Sequence, residues 1–403
     1  MRILILSQVF YPDQVAVSQH LSDLGFYLAS KHIDVTVWTS SYSYENTNIT
    51  FPKFQEKHNV KIHRIKSTKF TKKKLVGRAI NFFTFNFIIS FKLLFVDRKK
   101  FDKIFTTTVP PLLPFFVAVI AKIKSIPFIY WVMDMQPELL VGAGILKEKS
   151  YIVQFLKMAN KYTIKNANKI IVLDEYMSKY ISTNFFRDKN IFTIPLWPII
   201  NSLYSGERLA NPFRLSNKFA NKIVVMYSGN HALVHPLETL LFTALKLKDD
   251  SRFLFVFIGG GVRKVEVSNF KNNNNIDNII QLPYQDRNSI HISLAAADIQ
   301  VVIMGDGQVG YTHPNKIYGA LYIGKPVLYI GPTPSHITDI LENLPGNYIH
   351  SHGDVDGIVY DLLNFSDDFI ENSNIANFNN LQFVERNLSV EYLKNKMLEI
   401  VNS

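Results

Sequence analysis

KIVVMYSGN, residues 222–230, is an apolar run that ends in a polar turn. A run of this kind, without polar alternation, predicts a strand buried on both faces, as in a parallel sheet. The residues that follow have helical spacing over 236–247, and the run Phe253–Ile258 predicts a second strand. Strand, helix and strand in this order are typical of α/β folds.

The same alternation also fills the first half of the chain. There it predicts strands at Arg2–Ser7, Asp34–Thr39, Lys61–Ile65, Lys103–Thr107, Pro127–Val132, Lys169–Leu173 and Ile191–Ile194. Proline, glycine, asparagine and serine interrupt the periodicity at 195–221. We therefore predict two doubly wound, Rossmann-like domains, 1–200 and 201–385, with a ligand-binding cleft between them. Residues 386–403 predict a C-terminal helix that can pack back on the N-terminal domain.

Composition narrows the class of protein. The 403 residues are 47% hydrophobic and 19% charged, which excludes wholesale disorder. Cysteine is absent, so disulfides, thiolate metal sites and cysteine nucleophiles are excluded together. The chain opens on a predicted strand rather than a secretory signal, and the apolar stretch 104–121 contains three prolines, so we reject it as a membrane span. The prediction is a cytoplasmic protein that lies on a membrane surface.

The basic charge is concentrated in one stretch. Residues 61–103 hold thirteen basic and two acidic residues, a net charge of +11 that equals the net charge of the whole chain. The basic clusters flank an apolar, phenylalanine-rich body at 82–95, a pattern that favours an interfacial helix on an anionic bilayer. The predicted membrane-binding residues are Lys72, Lys73, Lys74, Phe82, Phe83, Lys99 and Lys100. A buried helix with solvated flanks is the alternative, whereas a nucleic-acid partner is not favoured because no recognised module accompanies the charge.

Three glycine-containing segments of the second domain could bind an anion. Tyr227–Asn230 ends a predicted strand, and Gly259-Gly260-Gly261 follows another and precedes Arg263. The third, GYTHPNKIYG at 310–319, places Lys316 in the first turn of a helix predicted over His313–Tyr322. Glycine turns beside cations and helix starts suit a diphosphate. An ordinary turn, a flexible loop and an exposed lysine are the respective alternatives.

In this order the segments resemble the nucleotide-sugar half of glycosyltransferase family 4, whose members are retaining enzymes of GT-B fold. The similarity is greatest to the bacterial subgroup that builds O-antigen and capsule repeat units. The matching segments are Tyr227–Asn230, Phe257–Gly261, Leu282–Tyr284, Ser293–Asp298, Pro314–Gly319 and Gly324–Val327, with Ser7–Asp13, Val109–Pro111 and Val132–Glu138 in the first domain. The resemblance thus spans most of the chain and implies an α/β, GT-B architecture.

The resemblance also implies residue roles. Lys316 and Arg263 would neutralise the departing diphosphate, and Asp134 would receive the acceptor hydroxyl; these are the three predicted catalytic residues. The predicted donor-binding residues are Ser228, Gly229, Asn230, Gly260, Gly261, Pro283, Tyr284, His313, Pro314, Tyr318 and Gly319. For Asp134, the residue types leave open a second role as a helix cap before Pro137.

Some family features are missing. Many members have two glutamates eight positions apart, the second holding the ribose, where this chain has Tyr311 and Gly319. An arginine common after Tyr-Ser-Gly-Asn has no counterpart near Leu233. No metal and no cofactor is expected, since cations and helix dipoles serve the diphosphate in a GT-B enzyme. The lone Asp-x-Asp, at Asp354, predicts a helix N-cap rather than a metal site.

The predicted function is a retaining transfer of a hexosyl or N-acetylhexosaminyl group from a nucleotide-sugar, UDP-linked, to a lipid-diphosphate-linked glycan. It would serve bacterial surface polysaccharide synthesis on the inner face of the plasma membrane. One alternative is a catalytically impaired, membrane-bound partner of a polysaccharide assembly complex, which the missing glutamate pair motivates. The other is a nucleotide-sugar epimerase of the same fold, although no cluster of carboxylates and histidines supports it.

Overall fold

A computed structural model describes residues 1–44, 46–70, 75–185, 190–200, 202–286 and 289–403. The described chain divides into two compact units. The first unit comprises Met1–Pro195, Gly310–His313 and Glu391–Ser403, and the second comprises Leu196–Val309 and Pro314–Val390. A segment of only four residues, Gly310–His313, thus belongs to the first unit although its neighbours in sequence belong to the second.

The first unit is built on an eight-stranded sheet of order β3-β4-β2-β1-β5-β6-β7-β8. All neighbouring strands are parallel except β3 and β4. The strands are β1 (Arg2–Leu6), β2 (Asp34–Ser40), β3 (Phe54–Lys57), β4 (Val60–Ile65), β5 (Lys103–Thr107), β6 (Phe128–Trp131), β7 (Lys169–Val172) and β8 (Ile191–Thr193). The helices are α1 (Ala16–Ser30), α2 (Leu75–Leu94), α3 (Leu113–Lys124), α4 (Glu138–Gly142), α5 (Tyr151–Asn166) and α6 (Glu175–Phe185), with a short 3₁₀ turn at Arg98–Lys100.

Helices α2, α3, α5 and α6 cover one face of this sheet and are called here the four-helix layer. Each connects strands in the same direction across the sheet, and right-handed crossovers place such helices on a common face. Their inward side chains share one hydrophobic cluster with every second residue of the central strands, including Leu4, Leu6 and Ile104. The period of two along each strand therefore decides which residues this layer buries.

The second unit contains a six-stranded, wholly parallel sheet of order β11-β10-β9-β12-β13-β14. Its strands are β9 (Ile223–Ser228), β10 (Phe253–Ile258), β11 (Ile279–Leu282), β12 (Ile299–Ile303), β13 (Val327–Ile330) and β14 (Tyr348–His350). Its helices are α7 (Pro212–Ser216), α8 (Glu238–Lys246), α9 (Lys264–Asn273), α10 (Ile290–Ala295), α11 (Lys316–Ile323), α12 (His336–Leu341), α13 (Val355–Asp367) and α14 (Phe369–Asn387). Ser228 pairs with Ile258, and Ile258 with Leu282, so β9, β10 and β11 end side by side.

A buried ionic cluster fixes the start of the second sheet. The Asp298 carboxylate accepts from Arg208 Nε at 2.6 Å, from Arg214 Nη1 at 3.1 Å and from the Val224 amide at 2.8 Å. The side chains of Asp298 and Arg214 are almost wholly buried, so each charge depends on the other for compensation. This cluster ties the segment after the first unit to β9 and to the start of β12.

The last helix, α15 (Val390–Asn402), packs on the first unit. Its Lys394 pairs with Asp23 of α1 at 2.7 Å, and the Lys103 ammonium donates to the Val401 carbonyl at 2.8 Å. Its buried residues Leu393, Met397 and Ile400 repeat at helical spacing, which is the pattern visible in the sequence.

Several elements differ from the sequence-based expectations, among them β14, α7 and α12, which were not predicted. Strand β3 and helix α14 were not predicted, because neither carries a clear apolar pattern. The predicted helix over His313–Tyr322 is wrong at its start: α11 begins at Lys316, with Asn315 as its N-cap. The residues before Lys316 make other contacts: the Ile317 amide donates to the Pro314 carbonyl at 3.2 Å in a tighter turn, and the His313 imidazole is held by Asp174 at 2.8 Å. No helix in the described ranges is long and apolar enough to cross a membrane.

Candidate functional site

The carboxyl ends of β9 and β10 bring two glycine turns together in the second unit. The Gly229 amide donates to the Ile258 carbonyl at 2.9 Å, and the His231 amide donates to the Gly260 carbonyl at 2.7 Å. A Cβ on Gly259 would lie 2.1 Å from the Gly229 carbonyl oxygen, and φ at Gly259 is +130°. No other residue type fits here, so glycine is what allows the turns to meet at this edge of the sheet.

Lys316 lies directly over these turns. Its Cε and Nζ are 3.2 and 3.5 Å from the position that a Cβ on Gly229 would take. The ammonium sits 3.5 Å from the centroid of the Tyr227 ring. It is buried and has no hydrogen-bond partner among the described residues, and burial lowers the pKa of Lys316 well below its usual value. A buried cation without an anion is costly, so this position is prepared for a negatively charged ligand.

The two histidines after the turn cannot share that charge. His231 Nδ1 is 3.2 Å from the Gly260 carbonyl oxygen, and His235 Nδ1 is 3.1 Å from the Tyr227 hydroxyl. Burial lowers the pKa of His231 to about 4 and that of His235 to about 3. Both imidazoles are therefore neutral at pH 7, so the positive charge at this edge comes from Lys316, Arg263 and Lys264.

Arg263 lies just before α9 and is already held by carboxylates. Its Nη1 is 2.9 Å from Glu238 Oε1 and 2.8 Å from Glu266 Oε2, and its Nε donates to the Leu233 carbonyl at 3.3 Å. The side chain is only 17% exposed. The guanidinium is thus fixed in orientation near the Gly259–Gly261 turn, but a diphosphate would have to share it with two glutamates.

The remaining predicted donor residues of the second unit lie around the same two turns or in and just before helix α11. Tyr284 covers Gly260, with its ring 3.1 Å from the position of a Cβ there, and it remains 44% exposed. Tyr318 is buried in the first turn of α11, and Pro314 is buried just before that helix begins. Among the described residues, a Cβ on Gly319 would have Ile200 and Leu294 as its nearest neighbours, at 3.7 and 3.9 Å. The other predicted residues here are exposed or half-exposed around the two turns: Ser228, Asn230, Gly261 and Pro283.

His313 belongs to the first unit, whereas the other predicted donor residues belong to the second. Its Nδ1 is 2.8 Å from Asp174 Oδ2, and its side chain is fully buried. Asp174 also accepts from the Met177 amide at the start of α6. Tyr311, at the position of the first family glutamate, packs edge-on against Tyr180 with ring centroids 4.9 Å apart.

Asp134 follows β6, and its carboxylate is held by the same four-residue segment. The Thr312 hydroxyl donates to Asp134 Oδ1 at 3.3 Å. Burial raises the pKa of Asp134 to about 7, and the Thr312 hydrogen bond opposes that shift. The alternative role as a helix cap is wrong, because α4 begins after Pro137 without a side-chain cap. A carboxyl that titrates near neutral pH is suited to proton transfer.

A small cavity of about 40 Å³ opens beside this carboxyl. Its polar lining consists of Thr108, Tyr130, Asp134, Gln136, Asn160 and Thr163, and its apolar lining comes from the start of α3 and from α5. That volume holds about three waters at ~10–15 Å³ each, so it admits a hydroxyl-bearing group rather than a whole sugar ring. The cavity therefore leads to Asp134 without enclosing a large ligand.

The basic, aromatic stretch forms helix α2 and its flanks. Phe85, Ile89 and Leu93 enter the core, whereas Phe83, Phe87, Phe91 and Phe95 form a ladder of rings on the outside, each 58–70% exposed. Phe82 does not belong to this ladder, because it is half-buried and stacks on Tyr44. Lys99 and Lys100 are exposed in the 3₁₀ turn, and Lys72, Lys73 and Lys74 lie outside the described residues.

Two supporting residues were not found from the sequence. In the sequence, Tyr227 is recognisable only as part of a turn motif, whereas in the structure its ring contacts the Lys316 ammonium. In the sequence, Thr312 is recognisable only as part of the stretch before α11, whereas in the structure its hydroxyl contacts Asp134. Neither contact leaves a local signal, since each joins residues about 90 or more positions apart.

Two curated glycosyltransferases are similar to this chain in sequence. The chain is 24% identical over 274 residues, 67% of each chain, to a protein of Pseudomonas aeruginosa named as a glycosyltransferase, WbjE. It is 19% identical over 365 residues, 86% of this chain and 87% of the other, to WcaI of Escherichia coli strain K12, which is named as a colanic acid biosynthesis glycosyl transferase. No family model matches the chain.

Solved structures extend the similarity to the whole fold. Sucrose-phosphate synthase from Thermosynechococcus elongatus superposes with a TM-score of 0.77 at 13% identity, over 100% of this chain and 98% of the other. HepE of Anabaena, solved with UDP-glucose, gives 0.72 at 14% identity over 100% and 99%. WaaG, a glycosyltransferase involved in lipopolysaccharide biosynthesis, gives 0.72 at 11% identity over 99% of each chain.

The fold predicted from the sequence is therefore confirmed: the chain has the GT-B fold. The predicted class of enzyme, a glycosyltransferase, is confirmed by the relatives in sequence and structure.

Proposed function

We propose that this glycosyltransferase transfers a hexosyl or N-acetylhexosaminyl group, with retention, from a UDP-linked donor to a lipid-diphosphate-linked glycan. The observation that carries the proposal is the buried Lys316 ammonium, which lies over Gly229 and has no hydrogen-bond partner among the described residues. A donor diphosphate supplies the missing negative charge. The glycine turns let that diphosphate approach the backbone closely.

Bond breaking places further charge on the diphosphate. As the bond from the anomeric carbon to the phosphate oxygen breaks, negative charge grows on the leaving group, and Lys316 stabilises it more in the transition state than in the ground state. Arg263 adds a second, oriented cation at the Gly259–Gly261 turn. Both charges come from the protein, so we propose that no metal takes part and that EDTA leaves the transfer rate unchanged.

The base and the ribose contact the exposed side of the same edge. The Tyr284 ring covers Gly260 and is partly exposed, which suits stacking with a nucleobase. UDP is the favoured nucleotide because HepE, a structural neighbour, was solved with UDP-glucose. Gly319 offers no carboxylate for the ribose, so ribose binding falls to groups other than the family glutamate.

On the acceptor side, Asp134 is the proposed proton acceptor. The acceptor oxygen forms the new glycosidic bond while its proton passes to the Asp134 carboxylate. The cavity beside Asp134 admits a group of hydroxyl size, and the raised pKa of Asp134 lets the carboxyl take up and release a proton near neutral pH.

A lipid-linked acceptor and a role in surface polysaccharide synthesis fit the chain's surface and its relatives. WcaI is named for colanic acid biosynthesis, and WaaG for lipopolysaccharide biosynthesis. The exposed phenylalanine ladder of α2 lies between basic clusters, a combination that binds anionic bilayers. We propose that the enzyme works on the inner face of the plasma membrane, attached through α2.

Donor binding tests the central step. Isothermal titration of UDP, ADP, GDP and a panel of UDP-sugars should give the tightest binding for one UDP-sugar. Lys316→Met should weaken that binding, whereas Lys246→Met, which removes an exposed lysine of α8, should not. Equal affinity of wild type and Lys316→Met for every nucleotide would exclude Lys316 from the donor site.

The missing glutamate pair favours one other function, a catalytically impaired partner of an assembly complex. Radiolabelled transfer to a lipid-diphosphate-linked sugar separates the two. Transfer or slow donor hydrolysis supports the enzyme, whereas donor binding with neither reaction across the panel supports the impaired partner.

A further inference from the structure

Helix α5 exposes an unusual amount of apolar surface. Tyr151, Ile152, Phe155 and Met158 are 95, 62, 48 and 66% exposed, although they lie within eight residues of each other. Single exposed apolar residues are common, but a contiguous group of this size marks an interaction surface. Nothing in the transfer chemistry proposed above uses these side chains.

These residues lie opposite the buried side of the helix. Tyr151, Phe155 and Met158 follow the spacing i, i+4, i+7, so they form one stripe along α5. Of the four buried residues of α5, Val153 and Ile164 lie opposite this stripe, and Ala159 and Thr163 lie between the two sides. The outer stripe is therefore additional to the core stripe, since packing of the unit does not require it.

The same layer carries the exposed ladder of α2. Helix α3 lies between the two and packs against both. Asn86 of α2 donates to the carbonyl of Pro111, in the turn just before α3, at 2.7 Å, and Phe115 of α3 contacts Tyr162 of α5 with ring centroids 5.7 Å apart. Because α2 and α5 belong to the four-helix layer, their outward faces point away from the same side of the sheet. The first unit thus presents two apolar ridges on one side.

Basic residues accompany the second ridge as they accompany the first. Residues 147–165 contain five lysines and one glutamate, and that glutamate, Glu148, already pairs with Lys157 at 2.8 Å. The other four lysines are exposed: Lys147, Lys149, Lys161 and Lys165. Apolar side chains surrounded by exposed lysines complement an anionic bilayer, in which the apolar side chains enter the acyl region and the ammonium groups meet headgroups.

We propose that α5 is a second membrane-contacting helix, whose outer stripe enters an anionic bilayer together with the α2 ladder. The inference rests on the membrane attachment proposed above. One apolar ridge leaves a protein free to rotate about that ridge, whereas two ridges on either side of α3 fix the plane of the first unit against the bilayer.

This orientation matters because the inner side of α5 lines the Asp134 cavity. Leu156, Ala159, Asn160 and Thr163 form part of that cavity, while the outer stripe would lie in the membrane. A helix is about 10–12 Å across with its side chains. The diphosphate end of a lipid-linked acceptor would therefore enter within one helix diameter of Asp134, without leaving the bilayer surface.

Tryptophan reporters test the inference in the full-length protein. The three native tryptophans are at most 3% exposed, so a tryptophan introduced at the surface is a distinct probe. We would compare Met158→Trp on α5 and Phe87→Trp on α2 with Tyr360→Trp on α13 of the second unit, as an exposed control. Each is mixed with phosphatidylglycerol vesicles whose acyl chains are brominated at known depths.

Quenching at positions 158 and 87, but not at 360, is the expected result. Quenching at 87 alone would overturn the role of α5 and leave membrane attachment through α2 intact. Quenching at neither position would refute the membrane attachment itself. A lipid-independent, concentration-dependent change at position 158, with dimers in sedimentation analysis, would show that a second copy covers α5 and would also overturn the inference.

A binding measurement completes the test. The double variant Phe155→Ser/Met158→Ser should lower the vesicle partition coefficient about tenfold, since two large apolar side chains lose their membrane contact. The matched control, Tyr360→Ser/Phe378→Ser, removes two large side chains of the second unit that are at least as exposed on average, and should leave partitioning unchanged. Equal partitioning of both variants would contradict the proposal.

Discussion

The pH dependence of transfer should report the ionisation of Asp134. If the carboxylate accepts the acceptor proton, only the ionised form is active, and burial raises the pKa of Asp134 to about 7. The ionised fraction is then about 9% at pH 6 and about 91% at pH 8, so kcat should rise about tenfold over this range. Asp134→Asn should lose most of the activity together with this dependence.

Thr312 provides a finer perturbation of the same group. Its hydroxyl donates to Asp134 Oδ1 at 3.3 Å, a long hydrogen bond that favours the carboxylate by about 1 kcal/mol. Thr312→Val should therefore raise the pKa of Asp134 by about 0.7 unit. The rate should fall about threefold at pH 7 and hardly change at pH 9, and Thr312→Ser should behave like the wild type.

The assay is transfer from the preferred UDP-sugar to a lipid-linked acceptor at saturating donor, from pH 5 to 9. A loss of rate in Thr312→Val that is the same at every pH would refute the argument, because it would make Thr312 a purely structural residue. The assignment of the ionising group to Asp134 would also be refuted if the wild-type rate rose with pH around pH 4 instead of around pH 7.

Thermal unfolding offers a second measurement that needs no substrate. A carboxyl whose pKa is higher in the folded than in the unfolded state stabilises the protein at low pH, and this stability is lost as pH rises from about 4 through about 7. The loss is at most ~4 kcal/mol. Asp134→Asn should therefore unfold at a higher temperature than the wild type at pH 8, but not at pH 4.

Three substitutions test the second unit. Lys316→Met should lower kcat about 10²–10³-fold with a smaller change in donor affinity, and equal losses in kcat and affinity would mean that Lys316 only binds the donor. The same variant should raise the melting temperature of the ligand-free protein, because it removes a buried ammonium that has no hydrogen-bond partner among the described residues. Asp298→Ala should destabilise the protein by about 3–5 kcal/mol in denaturant titration, because it leaves Arg214 buried without its carboxylate; a change below about 1 kcal/mol would contradict this. Gly259→Ala should abolish donor binding in calorimetry, since its Cβ would lie 2.1 Å from the Gly229 carbonyl oxygen. The control variant Gly319→Ala should fold normally, because the new Cβ would have described neighbours no closer than 3.7 Å. Donor binding by Gly259→Ala would show that the two turns can separate.

Much of the fold was visible in the sequence because parallel strands buried on both faces must be almost continuously apolar. The run at 222–230 and similar apolar runs along the chain mark these strands, and most strands of both sheets follow from them, although β14 was not predicted. Strand β3 escaped prediction because it lies at the sheet edge and half of its residues are exposed. Helix α14 escaped because its asparagine-rich sequence has a weak apolar pattern, although Asn380 makes buried hydrogen bonds to the Lys325 carbonyl and Asn347.

The local sequence also indicated which residues could bind a diphosphate. Glycine turns expose backbone N–H groups, and a lysine at a helix start supplies positive charge, so both features are visible in short segments. Tertiary structure alone decided what surrounds those groups. The Tyr227 ring lies against Lys316, Thr312 lies against Asp134, and Phe82 stacks on Tyr44 while its neighbour Phe83 faces outward. A local pattern specifies the period and polarity of an element. Contacts between distant residues depend on how whole elements pack, and these contacts set the burial that shifts the pKa of Lys316 and of Asp134.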